Sequence, residues 1–157
     1  MIEVKKVTSD VLMEVRRNVL WPHLLDDKLA VIEVDKSESA IHLAAFYKGK
    51  VVGVASLFKQ TCDRFPELLI DVEVRRLRAM GVKEDFRGKG VGDLIVKKAQ
   101  EILKEEGVDV IWCDAREVAW GFYLKQNFEF AKHLDGDECD AYLVSKVGLH
   151  KMMIKRI

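Results

Sequence analysis

A chain of 157 residues, 49% apolar and 33% charged, is sized for one soluble domain, residues 1–157, with a sizeable core. Its 26 Lys and Arg balance 26 Asp and Glu, so there is no overall basic field of the kind that draws nucleic acid. No uncharged apolar run reaches ~18 residues, and the opening MIEVKKVTSD lacks the apolar core of a signal peptide, which argues against membrane spans and for the cytoplasm. Cys62, Cys113 and Cys139 are far apart and odd in number, which suits a reducing compartment better than a disulfide framework. The four histidines lack the spacing of a zinc site, and no metal is expected.

In chain order, Ile2 to Val7 predicts a strand. Thr8 or Ser9 then caps a helix carrying Leu12, Val15 and Val19, which ends near Trp21-Pro22. Residues 23–39 are irregular, with a short helix around Leu24 to Leu29. Ile41 to Tyr47 and Val51 to Phe58 form a hairpin over Lys48-Gly49-Lys50, and residues 59–70 are a loop. Arg75 to Val82 is a strand on which strict alternation places Arg76, Arg78 and Met80 on one face. A glycine-rich stretch follows, and then a helix with Val91, Leu94, Ile95, Ala99, Ile102 and Leu103 as its apolar stripe, stopped by Gly107. Val108 to Cys113 is a buried strand, Arg116 to Gln126 a helix capped by Asn127, and Phe128 to His133 and Leu149 to Ile157 are the last strands. The order is that of a mixed α/β domain.

The glycine-rich stretch, DFRGKGVGDL from Asp85 to Leu94, places Gly88, Gly90 and Gly92 where a strand turns into a helix. Such a junction is either a plain turn or a phosphate cradle, with free N–H groups at the positive end of the helix dipole. A Walker loop needs Gly-Lys followed by Ser or Thr, and Gly90 stands there instead. The dinucleotide fingerprint G-x-G-x-x-G also fails, because the order here is G-x-G-x-G.

Arg87, Gly90 and Gly92 do fit Arg-x-x-Gly-x-Gly, which resembles the pyrophosphate loop of the GNAT superfamily of acetyl-CoA-dependent N-acetyltransferases. RLRAMGV, Arg76 to Val82, resembles the family strand that meets the pantetheine arm. AWGFYLKQNF, Ala119 to Phe128, resembles its A-x-x-x-Y-x-x-x-G-F segment, with Asn127 in place of the glycine. GLHKMMIKRI, Gly148 to Ile157, resembles the last strand of a bacterial branch ending G-x-H-x-x-M.

The resemblance implies the GNAT fold: a mixed central sheet of about six to seven strands with a splayed parallel pair, flanked by helices. It implies acetyl-CoA as cosubstrate, held by the backbone of Met80, Gly81 and Val82 and by Arg87, Gly88, Lys89, Gly90, Val91 and Gly92. It also implies Tyr123 as the general acid toward the departing thiolate. The acceptor is then a small-molecule or peptide amine that attacks the thioester directly in a ternary complex, and a homodimer is compatible with the reading. Many relatives carry a basic glutamate where Arg76 stands here, so no base is assigned; Asp71, Glu73, His42 and His150 are the nearby or chemically suitable groups. That gap, together with Arg116 where relatives often have asparagine, leaves open a coenzyme A-binding sensor with little catalysis. An acyltransferase for another acyl group or acceptor is also open. Trp112 and Trp120 are candidates to shape an acceptor pocket or are packing residues, and Cys113 reads as inert core.

Overall fold

Lys48 and Gly49 both adopt positive φ (49° and 77°), the requirement of a two-residue type I′ turn, and so join β2 (Ile41–Tyr47) to β3 (Lys50–Phe58), whose antiparallel ladder shifts register once, between Ala45 and Phe46. The computed structural model describes residues 1–157. β1 (Ile2–Val7) pairs antiparallel with β2, and the eight-stranded sheet continues through β4 (Val74–Val82), β5 (Val110–Arg116), β8 (Gly148–Arg156) and β6 (Glu129–Phe130). β7 (Tyr142–Val144), which the sequence reading leaves out, lies beside β8. The parallel β4–β5 ladder runs Val74 to Arg76 against Val110 to Trp112, and each strand continues past it. No helix is long and apolar enough to cross a membrane.

Two compact units emerge from the contacts: Met1–Phe58 with Leu77–Ile102, and Lys59–Arg76 with Leu103–Ile157. In the first, Leu12, Val15, Ala44 and Val54 form a buried cluster beneath the N-terminal helical segment. That segment is less regular than its periodicity predicts. A 3₁₀ turn (Ser9–Leu12) and a single α turn, α1 (Met13–Val15), lead into a π turn (Arg16–Leu20), where the Trp21 N–H bonds Arg16 O at 3.1 Å. The segment carries Arg16, which is fully buried and forms a two-pronged ion pair with Asp35 at 2.7 and 2.8 Å. Ser56 accepts from Arg16 at 2.9 Å and contacts His42 Nδ1 at 2.7 Å, while Ile32 N–H donates to Asp35 at 2.8 Å. A polar knot thus fastens the irregular stretch around Ile32–Asp35 to the sheet.

α2 (Val91–Glu105) buries Val91, Ile95, Val96, Ala99, Ile102 and Leu103, whereas Leu94 faces outward. Gly53 permits its close approach: a Cβ there would meet Val91 Cγ1 at 2.9 Å and Ile95 Cδ1 at 3.0 Å.

β4 departs from strict alternation. Ala79 has φ +52°, a left-handed conformation that breaks the extended strand in its middle. Arg78 lies over the Phe58 ring at 5.9 Å and reaches Glu33 at 3.3 Å. Gly81, beyond the bend, approaches Val19 and Leu20: a Cβ there would meet Val19 Cγ1 at 3.0 Å and Leu20 Cδ2 at 3.2 Å. Left-handed backbone costs a non-glycine residue about 1 kcal/mol or more. We therefore expect Ala79→Gly to raise stability by about 0.5–1 kcal/mol, read as a higher urea midpoint at unchanged slope. A lower midpoint would show that the bend carries no strain.

In the second unit, Cys62, Val74, Val110, Trp112, Ala131, Cys139 and Met152 form the core, with Phe65, Leu68 and Leu69 of the 59–73 segment packed against it. β5 is longer than its apolar run predicts: Arg116, expected in the next helix, pairs with His150 of β8. The helix itself shortens to a 3₁₀ turn (Glu117–Ala119) and α3 (Trp120–Lys125), and Asn127 (φ +66°) takes up the expected left-handed cap.

Candidate functional site

The loop into α2 belongs to the first unit. Gly88 and Gly90 adopt φ +73° and +80°, a region L-residues avoid, and beyond their chain neighbours no atom lies within 4 Å of where a Cβ would stand at either. The Leu94 N–H bonds Gly90 O at 3.1 Å, so Gly90 is the last residue before the helix and the amides of Val91, Gly92 and Asp93 begin it without intrahelical acceptors. Fifteen residues of aligned peptide dipoles stand behind those amides.

Arg87 and Lys89 are exposed beside them. Arg87 Nε donates to Val82 O at 3.2 Å, and Lys89 lies 5.5 Å from the Phe86 ring. Open amides, two flexible cations and a helix N-terminus suit a pyrophosphate. Upstream, Met80 and Val82 are half-buried and Gly81 is buried. These nine predicted residues, Met80 to Val82 and Arg87 to Gly92, run from the end of β4 to the start of α2.

Tyr123 belongs to the second unit. It is buried on α3, edge-on to Phe122 and Phe128 at ring distances of 5.2 and 5.1 Å. Burial pushes its hydroxyl well above tyrosine's ordinary pKa; Cys113 adds to the shift and Arg116 opposes it. The phenol therefore keeps its proton at neutral pH, as a donor must. Cys113 is buried, and desolvation raises its thiol far out of the reactive range. Trp112 and Trp120 give their indole N–H groups to Gln60 O (2.8 Å) and Ala115 O (2.7 Å), which supports packing as their task.

A polar cluster that the sequence reading did not assemble lies on the Trp112 face of the same unit. Arg64 holds both oxygens of Asp114, at 2.6 and 3.0 Å, and Arg76 reaches Asp114 Oδ2 at 3.0 Å. Arg64 also stacks on Tyr142 at 4.1 Å, and Tyr142 tilts against His150 at 5.5 Å. Arg64 comes from the loop and Asp114 from β5, fifty residues apart, a pairing with no local signature. Of the groups considered as a base, His42 is tied into the Arg16–Asp35 knot and Glu73 pairs with Arg75 at 2.7 Å. His150 is buried, with Nδ1–H donated to Gly148 O at 2.8 Å, which leaves Nε2 as its basic nitrogen.

An open mixed sheet with a parallel pair and a glycine turn into a long helix defines a GNAT-class protein. Residues 10–128 match the sequence profile of the Acetyltransferase (GNAT) family. The chain is 32% identical over 157 residues to YitI of Bacillus subtilis (strain 168), an uncharacterized N-acetyltransferase, covering all of this chain and 97% of that one. Its fold is shared by an aminoglycoside 6′-N-acetyltransferase complexed with coenzyme A (TM-score 0.72, 14% identity, 98% and 96% of the two chains). Escherichia coli ElaA shares it as well (TM-score 0.72, 17% identity, 99% of each chain). The chain belongs to the GNAT acetyltransferase family.

Proposed function

We propose that residues 1–157 act as one acetyltransferase domain that moves acetyl from acetyl-CoA to an amine in a ternary complex. The observation that carries this is the loop of Arg87 to Gly92, whose left-handed glycines leave the amides at the head of α2 open for a pyrophosphate. Arg87 and Lys89 add charge, and the backbone of Met80, Gly81 and Val82 is the edge along which the pantetheine arm is held. The amine nitrogen attacks the thioester carbonyl, the C–S bond breaks as the C–N bond forms, and Tyr123 hands its proton to the departing sulfur. A thiol of pKa ~8.5 leaves readily, so that proton accelerates the step modestly. Water or a neighbouring side chain takes the ammonium proton before attack. The reading places the enzyme in the cytoplasm.

Acetyl-CoA turnover over a panel of amines, polyamines, amino acids and peptides, followed as free thiol, is the direct test. Release of thiol dependent on one acceptor supports the enzyme; tight coenzyme binding with no turnover on any acceptor favours a sensor. For Tyr123→Phe we expect kcat to fall roughly tenfold to a hundredfold, with coenzyme affinity and melting temperature nearly constant. Unchanged turnover per folded molecule would remove Tyr123 from the mechanism.

A further inference from the structure

Two of the four histidines, His42 and His150, are buried, and their ring nitrogens are used differently. His42 bonds through both, Nδ1 with Ser56 at 2.7 Å and Nε2 with the Asp35 carbonyl at 2.9 Å. That is how an imidazole with a purely structural task satisfies itself in an interior. His150, 8% exposed, bonds through one nitrogen only. Its Nδ1 meets the Gly148 carbonyl at 2.8 Å, and a carbonyl can only accept. Nδ1 therefore carries the proton of the neutral ring, and Nε2 carries the lone pair. Nε2 has no hydrogen-bond partner within the protein, yet it is not sealed from solvent. The Tyr142 ring, tilted against the imidazole at 5.5 Å, helps to fix its plane.

The ladder sets His150 opposite Arg116, the last residue of β5, and β5 runs parallel to β4. The carboxyl ends of parallel strands are where open α/β sheets receive ligands. From Arg116 the chain passes straight into the turn Glu117–Ala119, against which β8 packs, and then into α3 with Tyr123. The open nitrogen thus stands at the strand end from which the proposed acid is carried. Burial and the charges of Arg116 and Arg64 lower the basicity of His150, and they outweigh the Gly148 hydrogen bond and the charge of Asp114. The ring is therefore uncharged at neutral pH and ready to take a proton.

We infer that His150 Nε2 is the general base that deprotonates the acceptor amine. The inference rests on the acetyltransferase reading and names the group which that reading leaves open. An alkylamine at neutral pH arrives as an ammonium, which has no lone pair with which to attack. Nε2 takes one ammonium proton, and the imidazolium passes it to water. The freed nitrogen attacks the thioester carbonyl, the C–N bond forms, the C–S bond breaks, and Tyr123 protonates the sulfur. The second proton lost from nitrogen replaces the one Tyr123 gave. The products are amide, free thiol and one proton in solvent.

The experiment compares His150→Asn with the unaltered protein. Asparagine keeps an N–H donor where Nδ1 stood and removes Nε2. Thiol release from acetyl-CoA is followed with butylamine, spermidine, lysine and a short alanyl peptide, all ammonium ions at neutral pH. Methoxyamine, uncharged at neutral pH, serves as the acceptor that needs no base. We expect kcat to fall roughly a hundredfold on the ammonium acceptors that turn over, and about threefold or less on methoxyamine. The unaltered protein should lose kcat as the pH falls through the His150 value, below the ordinary imidazole range, and His150→Asn should lack that acid limb. In His150→Ala, added imidazole should restore part of the lost rate. Melting temperatures put every rate on a per-folded-molecule footing. If neither variant folds, nitrogen NMR of labelled histidine in the unaltered protein decides: the Nδ1–H tautomer at neutral pH supports the base, and the Nε2–H tautomer overturns it. Equal losses on both kinds of acceptor, a retained acid limb, or turnover of methoxyamine alone also overturns it. Unchanged turnover in His150→Asn sinks the base alone, whereas no thiol release with any of the five amines sinks the acetyltransferase reading and the base with it.

Discussion

Gly90→Asp is expected to lose coenzyme A affinity by about a hundredfold or more while the protein stays folded. The φ of +80° strains aspartate and asparagine alike, so the decisive effect is charge: the new carboxylate would stand in the open space before the α2 amides, where it takes the place of the phosphate and repels it. A hundredfold corresponds to about 2.8 kcal/mol, within reach of one misplaced charge at a helix N-terminus added to the lost hydrogen bonds. Gly90→Asn is the matched control: it is isosteric, tolerates left-handed backbone and carries no charge, so its loss should be roughly tenfold or less. Calorimetric titration of both variants with coenzyme A and with a pantetheine fragment lacking the pyrophosphate completes the test. Wild-type affinity in Gly90→Asp, or equal binding of the two ligands to the unaltered protein, would reduce the loop to a plain turn.

Asp35→Ala should be the most destabilising single change outside the apolar core, at about 3–5 kcal/mol, because it strands the Arg16 charge in the interior. The side chains of Arg16 and Asp35 are 0% and 1% exposed, so water cannot replace the lost partner without opening the structure. At roughly 2–4 °C per kcal/mol for a protein of this size, the melting temperature should fall by about 10 °C. Replacing both partners, as in Arg16→Met with Asp35→Leu, should recover much of the loss, since burying two charges is itself costly.

The pH dependence has a definite sign. Burial raises the Asp35 pKa, but the hydrogen bond from Arg16, the Ile32 amide and the charges of Arg16 and His42 outweigh it, so the folded value lies below the ordinary carboxylate range. Its contribution is therefore complete above ~4, the unfolded value, and is lost as the pH falls through the folded value. Acid titration of stability in Asp35→Asn should be flatter over that range. A single-variant loss under 1 kcal/mol would mean that the pair is solvated.

Much of the architecture was legible from local pattern. The β2–β3 hairpin, the cap at Asn127, the stop at Gly107 and the helix after Gly90 each depend on a few adjacent residues whose backbone preferences agree. The glycine loop ahead of α2, proposed to hold the coenzyme, was legible for the same reason, because a run of open amides leaves its mark in consecutive residues. The family resemblance rests on such short stretches.

What local pattern missed depends on partners distant in the chain. Strict alternation through β4 ignores the left-handed Ala79, a conformation that an alanine does not itself favour. Nothing beside Arg16 in the chain marks it for burial; Asp35, Ser56 and the Ala30 carbonyl close around it from 14 to 40 residues away. Arg116 ends a strand rather than starting a helix because β8 supplies a partner, His150, thirty-four residues later. The sequence by itself determined the local backbone conformations and the amide-lined loop, since steric and hydrogen-bonding preferences act between near neighbours. Only the tertiary structure decided which charges are buried together and which arginines meet at Asp114, because desolvation and Coulomb energies depend on distances that chain order does not specify.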